Sequence, residues 1–353
     1  MNWRDIKNPK AGGAEVFTHE IQRRLVKKGY DITLVCPKFT DCKPNEEMNG
    51  VKIIRKGGRY SVYSRAKLHY ERFNHDYDLV VDEINTRPFL TPKYVKDKPL
   101  LALIHQLARE FWFYETPFPL SYLGYYYLEK KWLSYYKKIH TITVSQSTKK
   151  DLESLGFCNV SIIPNGLNIT PLDKLPKKES CPTLVFLGRL EKAKLPNHAL
   201  QAFSIIKKKI PTAKMWIIGY GSMKKKLERY NIPDVSFFGY VETEKKNALL
   251  SKAHLTLVPG VREGWGLVVT ESNAMGTPAV AYNVAGLRDS VRNGYTGILT
   301  EKNTPESLAN SAIYLLQNQS LLQKLSSNAV KFARQFDWDS SAELFEHIIK
   351  NTI

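Results

Sequence analysis

The chain is predicted to be an α/β protein of two doubly wound, mostly parallel domains, and three observations predict it. Short apolar runs of strand length alternate with amphipathic helical stretches through both halves of the chain. An aperiodic stretch rich in Pro, Lys and Asp, residues 168–182, separates the halves. And 353 residues are many for one hydrophobic core but comfortable for two. Hydrophobic residues at 43% and aromatics at 11% exclude a disordered chain. No apolar run approaches the ~18 residues of a membrane span, and no secretory signal pattern opens the chain. Cys36, Cys42, Cys158 and Cys181 lack metal spacing and read as free thiols of a reducing compartment. A cytoplasmic location is therefore expected. The net charge of +18 suits nucleic acid, an anionic membrane face or phosphorylated substrates, and does not choose among them.

In order, Ala11-Gly12-Gly13-Ala14-Glu15 opens a helix with Ala14, Phe17, Ile21 and Leu25 on one face, ending near Gly29. Asp31–Cys36 reads as a strand. A doubly wound fold also needs a strand before the glycine turn, which hangs from its carboxyl end. Only Asn2 and Trp3 are left for it, so the first strand is expected to be truncated. Lys52–Ile54 is another strand. Lys56–Tyr70 is basic and aromatic, and a solvated helix face, a membrane surface and single-stranded nucleic acid all suit it. Asp78–Asp82 and Leu100–Ile104 read as buried strands with polar ends, where such folds expose their chemistry. The second delivers His105. A lone histidine is more often a structural hydrogen-bonder, but this position exposes it. Ser121–Lys138 reads as one helix dense in Tyr and Lys, with tyrosines enough for a surface belt. Thr141–Ser145 is a strand, Ser145 or Ser147 caps the helix Thr148–Leu155, and Gly156 stops it. Val160–Ile163 closes the half at Pro164-Asn165-Gly166.

The second half restarts with the strand Thr183–Leu187 and Gly188-Arg189-Leu190, with Lys194 beyond. Arg189 and Lys194 are two cations suited to a diphosphate whose charge grows as a bond breaks. A helix at 196–209, a strand at 214–218, a helix at 223–230, a strand at 235–238, a helix at 242–253 and a strand at 255–258 follow. The intervening Gly219-Tyr220-Gly221 is only weak evidence for a phosphate loop. After residue 297 come the strand 297–300, a helix capped by Thr304 with Pro305 in its first turn, and two further helices to residue 350. Asp337-Trp338-Asp339 is the one D-x-D pattern worth weighing. Asp339 is expected to cap a helix and Trp338 to anchor packing, rather than the pair to hold a metal.

Between these lies Pro259–Gly297, PGVREGWGLVVTESNAMGTPAVAYNVAGLRDSVRNGYTG. Glu263 and Glu271 flank the turn Gly264-Trp265-Gly266, after which the pattern turns helical. A strand, a glycine turn and a helix beginning in that turn make an anion site, since free N–H groups and the helix dipole point outward there. Phosphate on those N–H groups and hydroxyls on the carboxylates would suit a nucleotide sugar. An ordinary βα unit is the plain alternative.

This stretch resembles the E-x7-E motif of the retaining glycosyltransferases of family 4, which have the GT-B fold. The resemblance spans roughly residues 8–345 and includes the GGAE turn, His105, Asn165-Gly166 and G-R-L-x-x-x-K at Gly188–Lys194. Two departures stand out: Asn168 and Leu195 replace the usual Asp and Gly. The resemblance implies two Rossmann-like domains facing a cleft: an acceptor domain over residues 1–170, a nucleotide-sugar domain over 171–335, and a C-terminal helix, 336–353, returning to the first domain. It implies that Glu271 holds the ribose, that Glu263 and His105 lie beside the donor sugar, and that the N–H groups of Gly266 and Leu267 take the distal phosphate. Gly12, Gly13, Arg189 and Lys194 would face the diphosphate, and Tyr240 and Val241 the base, with Gly264 and Trp265 completing the turn. The implied reaction moves a hexose from a UDP- or GDP-sugar to a sugar or lipid-linked acceptor, with retention, without metal or cofactor. The tyrosine and lysine belts add an anionic membrane surface as a partner and a peripheral place on the inner membrane face; no nucleic acid is expected. A GT-B sugar-nucleotide epimerase, a non-catalytic homologue and a basic nucleic-acid-binding protein are the alternatives.

Overall fold

The computed structural model describes residues 1–353. The chain forms two compact units. Unit 1 comprises Met1–Trp112, Phe118–Gly166 and Asp337–Ile353; unit 2 comprises Phe113–Pro117 and Leu167–Phe336.

Unit 1 has seven strands: β1 (Thr33–Cys36), β2 (Asn45–Met48), β3 (Val51–Arg55), β4 (Val80–Glu83), β5 (Leu100–Leu103), β6 (His140–Thr143) and β7 (Val160–Ile162). They run in two ladders, β1-β3-β2 and β4-β5-β6-β7. All pairs are parallel except β2 with β3. The backbone at Met1–Asn2 lies between the ladders. The Asn2 N–H donates to the Val35 carbonyl at 3.0 Å, the Glu83 N–H to the Met1 carbonyl at 3.0 Å, and the amino group to the Val81 carbonyl at 2.8 Å. Met1 and Asn2 thus fill the strand position that the glycine turn requires, one residue earlier than the Asn2-Trp3 reading placed it. Burial lowers the pKa of that amino group. Ile84, Ala102, Ile104, Leu133, Tyr136 and Leu152 form the core under β4–β6.

Strand β2 has no counterpart in the sequence reading. It is made by the turn Asn49-Gly50, both residues at positive φ (52° and 80°), the turn that suits a two-residue hairpin. The tyrosine-rich stretch is one continuous helical run over residues 120–136, as its sequence suggests, but it is not α-helical throughout: it widens to π-helix at Gly124–Leu128, between α-helical turns at Leu120–Leu123 and Glu129–Leu133, and tightens to a 3-10 turn at Ser134–Tyr136. The cause is local packing: a Cβ at Gly124 would lie 2.2 Å from the Trp112 ring, so the backbone rides against that indole. The terminal helix Trp338–Lys350 is capped by Asp337, whose side chain accepts from the Ser340 N–H; Asp339, the expected cap, instead takes Arg24 at 2.5 Å. Trp338 is buried and meets the Phe17 ring edge-on at 5.9 Å, anchoring this helix on Gly13–Lys27.

Unit 2 has a six-stranded parallel sheet of β8 (Thr183–Leu187), β9 (Lys214–Ile218), β10 (Val235–Gly239), β11 (Leu255–Val258), β12 (Ala279–Ala281) and β13 (Gly297–Leu299), in the order β10-β9-β8-β11-β12-β13. Parallel strands buried on both faces read as continuous apolar runs, which is why β8 and β11 were legible. The order reverses between β8 and β11. Ligands of doubly wound sheets bind outside the carboxyl ends of the strands at such a reversal. Phe203, Ile206, Met215, Ile217, Leu257 and Leu308 are fully buried in the core beside it.

Candidate functional site

At the reversal in unit 2, the loops leaving β8 and β11 carry the charged residues. The β8 loop runs Gly188-Arg189-Leu190, with the Arg189 side chain exposed. The Leu190 N–H donates to the Tyr220 carbonyl at 2.9 Å, and the Met223 N–H to the Leu190 carbonyl at 2.9 Å. A Cβ at Gly219 would stand 1.9 Å from the Gly188 carbonyl oxygen, and one at Gly221 2.5 Å from that of Leu190. The glycines of 219–221 therefore serve close backbone approach, bracing the Arg189 loop. Past Lys194, Leu195 has left-handed backbone (φ 49°), which explains why a glycine suits this place. Here the strain, about 1–2 kcal/mol, is offset by burying the leucine among the core residues of unit 2.

The β11 loop is stitched to the same region. The Val261 N–H donates to the Ala193 carbonyl and the Glu263 N–H to the Ala285 carbonyl, both at 3.0 Å. Lys194 Nζ donates to Glu263 Oε1 in a close ion pair. Gly286, at φ +80°, passes so near Glu263 that a Cβ would fall 2.1 Å from its carbonyl oxygen. The helix Leu267–Ala274 then starts from Gly266, itself left-handed at φ 94°. Its first N–H groups, at Leu267 and Val268, precede any intrahelical bond. Glu271, one turn in, accepts from Lys246 Nζ at 2.8 Å. Trp265 packs edge-on against Phe336 at 5.2 Å, and its indole Nε1 is buried without a hydrogen-bond partner. Tyr240 is 79% exposed, while Val241 turns into the cluster of Ile218, Leu250 and Ala253.

Unit 2 thus brings together Glu263, Glu271, Lys194 and the turn 264–267, and adds Lys246, which sequence reasoning missed. Lys246 lies 25 residues from Glu271, in a helix otherwise rich in lysine, so nothing in the sequence distinguished it. Chemically the site offers cations and free N–H groups to an anion, and two carboxylates to hydroxyl donors.

In unit 1, His105 leaves the carboxyl end of β5 and is 8% exposed. Its Nε2 lies 3.2 Å from Glu83 Oε1, and Thr18 Oγ1 donates to the same oxygen at 2.5 Å. The Phe17 ring packs against the imidazole at 5.1 Å. Glu83, the last residue of β4, orients His105 and was also missed; its signal was a second acid at a strand end. Buried Glu129 holds the loop that follows, accepting from the N–H groups of Ala108 (2.6 Å) and Arg109 (3.0 Å). The glycine turn differs in detail from a bare anion cradle. The Gly12 N–H donates to Glu15 Oε2 at 2.7 Å, so a carboxylate already occupies that amide. Gly13 is the first residue of the helix.

Comparison with known proteins matches both halves. Residues 11–170 fit the model described as glycosyltransferase family 4, and residues 171–332 the model of glycosyl transferases group 1. An uncharacterized glycosyltransferase of Methanocaldococcus jannaschii is 32% identical over 127 residues, 35% of this chain and 36% of that protein. A D-inositol 3-phosphate glycosyltransferase of Thermobispora bispora is 29% identical over 206 residues, 52% of this chain and 48% of that protein. The chain thus spans half or less of the length of these relatives. Among solved structures, sucrose-phosphate synthase from Thermosynechococcus elongatus superimposes with a TM-score of 0.78 at 18% identity, over 97% of this chain and 94% of the other. Anabaena HepE, in complex with UDP and glucose, gives 0.73 at 16% identity, over 99% and 98%. The fold is therefore that of these two-domain GT-B structures.

Proposed function

From a chain that belongs to the family 4-like glycosyltransferases, we propose an enzyme that moves a hexose from a nucleoside-diphosphate sugar to an acceptor hydroxyl with retention of the α configuration. One observation carries the reading. At the strand-order reversal of unit 2, a left-handed glycine opens a helix, and a lysine–glutamate pair stands on each side of that opening. Anion donors and hydroxyl acceptors are interleaved there, as a sugar diphosphate requires. A UDP complex of a protein of this fold supports UDP as donor base, with GDP the other choice.

In the reaction, the diphosphate lies on the N–H groups of Gly266 and Leu267, with Arg189 and Lys194 as its clamp. Glu271 takes the ribose hydroxyls. Glu263 addresses the donor sugar. The bond from the anomeric carbon to the phosphate oxygen breaks with its electron pair going to phosphate. The acceptor hydroxyl bonds to that carbon from the same face, and its proton passes to the departing phosphate oxygen. Clamping the leaving charge supplies most of the rate without a metal, so activity persists in EDTA. The acceptor is a sugar or a lipid-linked sugar. The latter is supported by exposed Phe118, Tyr122, Tyr126 and Tyr127 beside Lys131, a surface suited to an anionic membrane. No helix is long and apolar enough to cross one.

The test is a thermal-shift panel with UDP, GDP, ADP and their sugar conjugates. A nucleotide at 100 times its Kd adds about 2.7 kcal/mol of stability. One nucleotide should stabilise the wild type and fail to stabilise Glu271→Ala; equal shifts in both proteins would remove Glu271 from the site.

A further inference from the structure

A second concave surface lies in unit 1, in the loops at the carboxyl ends of β1 and β3. It encloses about 620 Å3 and is lined by Lys38, Lys56, Arg65 and Arg72, with Phe73 and Leu68 as its apolar wall. That volume falls within the range of small-molecule sites, roughly 300–1,000 Å3. Ser61 and Gly57, just ahead of the helix Val62–Phe73, also line it.

The charge here is unbalanced. No Asp or Glu lines the bowl. Arg55, beneath it, is buried and fully answered, with Nε and Nη2 on the Asp5 carboxylate at 2.7 and 3.0 Å and Nη1 on Glu46 at 2.9 Å. The four cations above it have no such partners. Lys56 donates at 3.1 Å to Nδ1 of His69, whose Nε2–H in turn meets the Tyr77 hydroxyl at 2.8 Å. Burial and the neighbouring Lys56 charge push His69 down to about 4, so the imidazole is neutral at pH 7 and offers Lys56 a hydrogen bond but no counter-charge. Arg72 rests on the Phe73 ring at 5.3 Å, and Arg65 and Lys38 are exposed. Four like charges converging on one hollow repel one another, and a bound anion relieves that repulsion. A phosphate ester suits them best: one negative charge as a diester or about two as a monoester, with two or three free acceptor oxygens for the cations, and a sugar body for the Phe73 and Leu68 wall.

We propose that this bowl binds the phosphate of a phosphorylated acceptor, so that the acceptor is a sugar phosphate, free or carried on a lipid headgroup. The inference rests on the transferase reading for the word acceptor, but phosphate binding at the bowl can be measured without it.

The experiment is titration of the full chain, by calorimetry, with glucose 6-phosphate and with glucose. Phosphatidylcholine vesicles with and without phosphatidylinositol form a second arm, read by co-sedimentation. Wild type, Lys56→Met and the double variant Arg65→Ala/Arg72→Ala are compared, with UDP thermal shift measured on each. The expected result is binding of glucose 6-phosphate but not glucose, weakened about tenfold or more in both variants, with the UDP shift unchanged. Binding only to phosphatidylinositol vesicles, lost in the variants, assigns the phosphate to a lipid. Equal binding in wild type and variants, binding of glucose as well as its phosphate, or no binding in either arm overturns the proposal. So does a single-stranded RNA oligonucleotide captured through these residues when no phosphate ester is. A missing UDP shift with phosphate binding intact would sink the donor site alone.

Discussion

The bowl around Lys56 and the turn around Gly266 both sit at the carboxyl ends of parallel strands, and both gather cations, but they treat them in opposite ways. In unit 2 Lys194 and Lys246 are each held by a glutamate. In unit 1 Lys38, Lys56, Arg65 and Arg72 face one another with no acid among them. A paired lysine must be released from its glutamate before it can serve a phosphate, so binding there exchanges one ion pair for another and is selective for ligands that also satisfy the freed carboxylate. Unpaired cations have no such exchange to make; they answer any anion that fits.

Four variants would break or sharpen this contrast. The largest effect is expected at Gly286, which holds Glu263 in place. Gly286→Ala puts a Cβ 2.1 Å from the Glu263 carbonyl oxygen at a φ of +80°. It should cost about 3 kcal/mol in urea unfolding and abolish the nucleotide shift. A variant with wild-type stability would show that the Glu263 loop is not held as described.

Next comes a matched pair. Lys246→Met leaves the Glu271 carboxylate, half-buried, without its partner. A loss of about 1 kcal/mol is expected. Arg65→Ala/Arg72→Ala removes two exposed, unpaired cations and should leave stability within about 0.5 kcal/mol of wild type, or slightly raised. If both variants lose the same amount, the distinction between answered and unanswered cations has no energetic content.

The smallest effect is a pH dependence in the bowl. His69 has its folded pKa lowered from 6.5 to about 4. As pH falls below 6.5 the unfolded chain takes up the proton first, so the stability from neutral His69 is present above about 6.5 and is lost down to about 4. The melting temperature of the wild type should therefore fall more steeply over that window than that of His69→Gln. Parallel slopes would mean that His69 is not the neutral support of Lys56.

These regions were legible in the sequence to different degrees. Glu263, Glu271 and the glycine turn stand in one continuous stretch, so spacing and local helix rules could mark them. Arg189 and Lys194 follow a strand that an apolar run discloses. Lys246 was invisible, and Glu83 showed only as a second acid at a strand end, because each meets its glutamate or histidine across a separation of more than twenty residues. The basic, aromatic run of 56–70 was noticed, but composition favoured a solvated face over a membrane surface, and both over nucleic acid, without deciding. Only the folded chain shows that six of its residues join Lys38 and Arg72 around a hollow.

What the sequence determined by itself follows from short-range physics. Alternating apolar runs and amphipathic periods specify strands and helices in order, glycines mark turns with positive φ, and the aperiodic stretch near residue 170 separates two cores. The tertiary structure decided the rest. It widened the tyrosine-rich helix where Gly124 meets Trp112, moved the cap of the last helix from Asp339 to Asp337 as Arg24 claimed the former, and chose which lysines would be answered. Each of these outcomes depends on which side chains from distant segments reach the same few ångströms. That information lies in packing, and no local pattern carries it.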